Sequence, residues 1–116
     1  MCSIKPVYGI LESCTHKDGE PYEPGNWRNK YCGRAGLLII LMRQERWKLL
    51  FYPCDPDLFP SYANAYIHQI ECEDGRFIME TSNSIYIFQE DETAVPEEVR
   101  PLLEFSASVS SELYCD

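Results

Sequence analysis

AYIHQIECEDGRFIMETSNSIYIFQEDE, residues 65–92, is the stretch whose reading decides the fold. Asp74-Gly75 at its centre is the pair that best tolerates positive φ at both central positions of a type I′ turn. A two-residue hairpin closed there sets Glu73 opposite Arg76, Glu71 opposite Ile78 and Gln69 opposite Glu80. On the other face it sets Cys72 opposite Phe77, Ile70 opposite Met79 and His68 opposite Thr81. One face is then mostly charged and the other mostly apolar, as a half-buried sheet requires, and a slip of one residue would scramble the separation. In this register His68 falls inward, as a hydrogen-bonded core histidine. A second reversal around Ser82-Asn83-Ser84 leads into Ile85-Tyr86-Ile87-Phe88. The stretch reads as a three-stranded antiparallel meander.

C-terminal to the meander, Pro96 followed by Glu97-Glu98 is a favourable helix start, with Val99, Leu102 and Leu103 at helical spacing. Pro101 removes one internal bond and predicts a kink or two short turns. The apolar stripe of this helix would cover Ile78, Ile85 and Ile87, and the polar stretch 106–116 would fray. N-terminal to the meander, residues 53–60 (PCDPDLFP) carry three prolines and exclude a regular ladder there.

Residues 36–52, GLLIILMRQERWKLLFY, admit two readings. As a strand pair, Leu37 to Met42 is buried on both faces, Arg43-Gln44-Glu45-Arg46 turns, and Trp47, Leu49 and Phe51 alternate with Lys48, Leu50 and Tyr52. As one helix, the segment uses good helix formers but shows apolar residues all round its first two turns. The strand pair is the favoured reading, although its turn lacks Gly and Asn. Residues 12–35 form a long connection, with turn signals at Gly19-Glu20-Pro21 and Pro24-Gly25. Its Tyr22, Trp27 and Tyr31 gain too much from packing to be left disordered, so an ordered loop is expected. Such a loop is a natural contact site. Residues 3–11 read as an edge or bent strand, because Pro6 cannot donate to a ladder.

The chain of 116 residues fits a single domain, 1–116. With 45% hydrophobic residues it is not a disordered chain. The fold class is mainly β: a small antiparallel roll or partly open barrel of about five strands with a short C-terminal helix. An α+β fold is the alternative if 36–52 is helical. No stretch resembles a signal peptide or spans a bilayer, so the expectation is a cytoplasmic protein with no membrane contact. Cys2, Cys14, Cys32, Cys54, Cys72 and Cys115 contain no Cys-x-x-Cys, and reduced thiols follow from an intracellular setting.

Charge is divided unevenly along the chain. Residues 1–50 hold eight basic and five acidic side chains, a net of +3, whereas residues 51–116 hold two and fourteen, a net of −12. A clustered acidic surface attracts basic partners and repels nucleic acid.

Cys14, His16 and Cys32, with Cys54 or Cys72, are the nearest approach to a zinc set, but the paired close spacings of structural sites are missing. A Cys–His nucleophile would need a depressed thiol and an oriented base, which no linear pattern signals. Asp55-Pro56-Asp57 and Glu90-Asp91-Glu92 lack the spaced oxygen ligands of a calcium loop. Trp27, Arg28, Lys30, Tyr31 and Arg34 mix cations with aromatics as single-strand binders do, against the overall negative charge. The same residue types anchor protein contacts.

The functional expectation is therefore a non-catalytic binding protein that takes no cofactor or metal. Its acidic surface docks a basic partner protein, such as a nuclease or other nucleic-acid-binding protein, in the manner of an inhibitor, immunity protein or nucleic-acid mimic. The contact residues expected are Trp27, Arg28, Tyr31, Glu90, Asp91, Glu92, Glu97 and Glu98. The alternatives are a small Cys/His metal or thiol enzyme, or a component that self-associates through apolar residues such as Ile67.

Overall fold

A computed structural model describes residues 3–55 and 65–113. Six antiparallel strands follow one another around a closed barrel: β1 (Ser3–His16), β2 (Arg34–Arg43), β3 (Arg46–Pro53), β4 (Ala65–Glu73), β5 (Arg76–Thr81) and β6 (Ser84–Glu90). A helix, α1 (Arg100–Leu113), follows. Every strand pairs with its neighbour in sequence, and β6 closes the ring on β1.

The β4–β5 hairpin has the register that the sequence demands, from Glu73 opposite Arg76 to Gln69 opposite Glu80. Asp74 and Gly75 both adopt positive φ, 52° and 77°. One pairing differs. A bulge after Ile67 places Ile67, not His68, opposite Thr81, because the extra residue in the bulged strand shifts the alternation. His68 is accordingly exposed, with its Nε2 3.1 Å from Ser82 Oγ, and is no core histidine. Ile67 lies buried in the core, which removes it as an exposed self-association residue.

Residues 36–52 are the strand pair. Leu38 faces Phe51 and Ile40 faces Leu49 inside the barrel, while Leu37, Ile39, Leu41, Leu50 and Tyr52 form the outer face. Both faces are buried because α1 lies over the outer one, contributing Leu103 and Ala107, with Val95 beside them. Two-sided burial is what makes Leu37 to Met42 apolar throughout and blurs the period. The turn between β2 and β3 is Gln44-Glu45, and both residues take positive φ, 52° and 63°. That is a type I′ geometry held by ordinary L residues, each at a cost of about 1–2 kcal/mol.

The N-terminal strand is longer than its apolar pattern suggests. It is bent between Ile4 and Val7, around Pro6, and bulged between Leu11 and Ser13. The second bulge lets Leu11 and Cys14, three residues apart, both join the interior. The connection to β2 therefore begins only after His16. Being paired on both sides, β1 is not an edge strand. Gly9 sits where β1 crosses both neighbours, and a Cβ there would overlap the Gln89 carbonyl; one on Gly36 would overlap the Tyr52 carbonyl. Close backbone approach requires glycine at both.

At the C-terminal end the helix starts later than the sequence suggests. A single turn closes at Pro96, with Val99 N donating to Pro96 O at 3.0 Å, and α1 begins at Arg100. Pro101 thus lies in the first turn, where its missing N–H costs nothing, and it produces no interior kink. The helix runs on to Leu113 instead of fraying from Ser106. It covers the outer faces of β2 and β3 and leaves Ile78, Ile85 and Ile87 outside both buried clusters. Residues 56–64 and 114–116, including Asp57, Cys115 and most of the proline-rich segment, lie outside the described residues, as does Cys2.

Candidate interaction surface

Because the strands follow one another in order, the linear charge division becomes a spatial one. Residues 65–92 build the adjacent strands β4, β5 and β6 and carry Glu71, Glu73, Asp74, Glu80, Glu90, Asp91 and Glu92 against the single cation Arg76. Arg76 is itself engaged, its Nε 3.6 Å from Glu12 of β1, and Glu80 is met by Lys17 at 3.2 Å. Glu71, Glu73, Asp74 and Glu90 have no cation within ion-pair distance among the described residues. Alternation puts Glu71, Glu73, Arg76, Ile78, Glu80, Ile85 and Ile87 on the outer face of this wall. The isoleucines are partly exposed. A cleft of about 500 Å³ at the hairpin end is lined by Glu71, Cys72, Glu73, Asp74, Arg76, Ile78 and Gln89.

Glu90, Asp91 and Glu92 lie where β6 ends. Asp91 is committed locally, its Oδ1 accepting from Thr93 N at 3.0 Å and from Thr93 Oγ1 at 2.6 Å. The Glu92 carbonyl accepts from the Arg100 guanidinium, which also lies 4.9 Å from the centre of the Tyr8 ring. Glu97 and Glu98 are exposed in the turn before α1.

Trp27, Arg28 and Tyr31 lie elsewhere, in the connection 17–33, which folds over the barrel end where β6 begins. Tyr22 anchors that connection: it is buried, and its hydroxyl donates to Asn83 O at 3.1 Å and meets Ser84 Oγ. Asn26 Oδ1 caps a 3-10 turn at Trp27–Lys30 by accepting from Arg28 N at 3.0 Å. The Arg28 guanidinium lies 4.5 Å from the Tyr22 ring centre and 4.6 Å from that of Trp27. Such stacking holds the loop in place. Arg28 acts as a clamp on the barrel mouth, and within this connection Trp27, 41% exposed, offers a large apolar surface outward. About seven residues of β6 separate the two groups, roughly 20 Å at strand rise. The sequence-derived contact residues therefore form two surfaces.

Beneath the loop, Cys14 is buried beside Tyr86 and Ser84. Burial pushes its thiol up to about 11, despite hydrogen bonds from both neighbours that pull the other way. Burial, followed by the adjacent thiol, also raises the Tyr86 phenol. A thiol held protonated is a poor nucleophile and a poor ligand. His16 is drawn aside, its ring 4.0 Å from that of Tyr22 and its Nε2 3.2 Å from Glu23 Oε1. Among the described residues no three His, Cys, Asp or Glu side chains converge on a metal-sized space. Cys14, Cys32, Cys54 and Cys72 are free thiols. No described helix is long and apolar enough to cross a membrane.

Sequence reasoning passed over Glu71 and Glu73 as contact residues, although their alternation with Ile70 and Cys72 already put them on the solvent side. No protein-family model matches the chain, and neither a curated protein nor a solved structure shows significant similarity to it.

Proposed function

We propose that this protein is a non-catalytic binding module that docks a basic partner protein on the wall formed by β4, β5 and β6. The observation that carries the reading is the excess of carboxylates on three adjacent strands and their turn, Glu71, Glu73, Asp74, Glu80 and Glu90, over the lone cation Arg76, which is already paired. Partly exposed Ile78, Ile85 and Ile87 give the same wall an apolar centre. An apolar centre with a charged rim is the anatomy of a protein interface. The charge would steer association and select the partner, and the isoleucines would supply contact area. A nucleic-acid-binding protein or nuclease presents the complementary basic surface, so an inhibitor, immunity or nucleic-acid-mimic role fits. Trp27 at the barrel mouth is a separate contact point on this reading, and the buried, protonated Cys14 supports a non-catalytic role.

Parallel capture from the native host tests this, using the wild-type chain and a Glu71→Lys/Glu73→Lys/Glu90→Lys variant. The wild type should retain a basic protein that elutes with moderate salt, since exposed charge pairs are screened within about 10 Å at 0.1 M. The variant should lose it. A partner that resists salt and binds the variant equally well would refute the reading.

A further inference from the structure

The barrel is closed unevenly, and the weak seam leaves a usable strand edge. Among the described residues β3 and β4 pair only at Trp47 with Ile67, Lys48 with Tyr66, and Leu49 with Ala65. At Arg46 β3 ends in its turn, whereas β4 continues through Gln69, Ile70, Glu71, Cys72 and Glu73. Among the described residues no strand lies against the other edge of that five-residue run. β4 thus continues past the β2–β3 turn as an open edge of the sheet, while β5 on its other side stays paired with β6. This also accounts for Ile70, 37% exposed, and for Cys72, both solvent-facing although their cross-strand partners Met79 and Phe77 are buried.

The direction of the main-chain groups follows from the hairpin. In a two-residue hairpin the closing pair, Glu73 and Arg76, exchanges hydrogen bonds, and such pairs alternate along an antiparallel ladder. Glu71 and Gln69 therefore also bond inward to β5. The N–H and C=O groups of Ile70 and Cys72 point to the open edge, where no strand pairs with them among the described residues.

We infer that this edge of β4 is a strand-addition site for an extended basic segment of a partner, with alternating basic and apolar side chains. Main-chain bonds to Ile70 and Cys72 supply affinity, and alternate side chains supply selection. Apolar residues of the added strand lie beside Ile70 and Cys72. Basic residues lie on the face of Glu71 and Glu73, with Asp74 in the β4–β5 turn. A second copy of this chain is the wrong occupant: antiparallel pairing centred on Glu71 sets Glu71 against Glu71 and Glu73 beside Gln69. Facing like charges of this kind discourage edge-to-edge pairing. The segment is short, about five residues or roughly 17 Å, because the β2–β3 turn occupies the line beyond.

This inference rests on the acidic wall proposed above, and the experiment separates the two. The probe is the capped peptide Lys-Val-Lys-Val-Lys-Val-Lys, titrated into the isotope-labelled full chain at low ionic strength. Binding should slow amide exchange at Ile70 and Cys72, whose N–H groups are open in the free protein. Cys72→Pro removes an edge N–H without touching the β4–β5 ladder, and should weaken binding about tenfold, the worth of one hydrogen bond. With the wild-type protein, N-methylation of the valine amides should abolish binding, while N-methylation of the lysine amides should leave it nearly intact. If all peptides bind alike and Cys72→Pro has no effect, while Glu71→Lys/Glu73→Lys weakens binding, strand addition is overturned and the acidic wall stands. If the charge reversal also has no effect, both fall.

Discussion

Glu45→Gly, alone and with Gln44→Asn, tests the turn on which the strand order depends. Gln44 and Glu45 hold φ of 52° and 63°, and neither residue type favours that region. An L residue in the left-handed region costs about 1–2 kcal/mol, glycine costs nothing there sterically, and asparagine is intermediate. Glycine returns part of the gain by freeing the unfolded chain, by about 0.5–1 kcal/mol. The double variant should therefore be more stable by about 1 kcal/mol, which raises the urea midpoint by roughly 0.5 M. The slope of the transition should not change. Equilibrium unfolding followed by tryptophan fluorescence measures both. A lower midpoint would mean that the turn is not type I′. The register of β2 with β3, and with it the sequential strand order, would then be wrong.

Gly9→Ala and Gly36→Ala should each cost about 3 kcal/mol or more, read from the same unfolding curves, since each added Cβ meets a carbonyl of a paired strand that cannot move aside. Alkaline pH should also destabilise the fold. Cys14 is raised to about 11 from 9.0 and Tyr8 to about 12 from 10.0, both chiefly by burial, with the Glu104 carboxylate adding to the effect on Tyr8. Each is an acid whose folded value exceeds the unfolded one. Its contribution is therefore complete below the unfolded value and disappears as pH climbs through the folded value. The contribution of these two groups should be constant below pH 9.0 and fall from there to about 12. Cys14→Ala, whatever it costs at neutral pH, should flatten the first part of that fall by on the order of 2 kcal/mol.

Much of this architecture was legible in the residues. Asp74-Gly75 set the hairpin register because that dipeptide favours the turn and the flanking alternation admits one pairing. The two-sided apolar run at Leu37 to Met42 implied burial from both sides, though not that one side was a barrel interior and the other lay under a helix. What stayed hidden is what breaks alternation. The bulges near Glu12 and His68 shift parity by one residue, so Cys14 moves inward and His68 outward without any compositional mark. Closure of β6 on β1 is a long-range pairing that local pattern does not encode. Helix placement depended on it, since α1 covers β2 and β3 and leaves the isoleucines of β5 and β6 to the outside. Of the candidate site, the acidic excess was readable as a count. Its gathering onto one wall followed only from a topology that keeps neighbours in sequence as neighbours in space.

Paired nitroxide cosolutes, one cationic and one anionic, report the near-surface potential at each amide through its paramagnetic relaxation. Amides of Glu71, Glu73, Glu80 and Glu90 should relax much faster with the cation than with the anion, whereas those of Arg34 and Arg46 should show the reverse or no preference. An equal response to both cosolutes around the whole barrel would contradict a gathered acidic wall, and with it the docking role assigned to β4, β5 and β6.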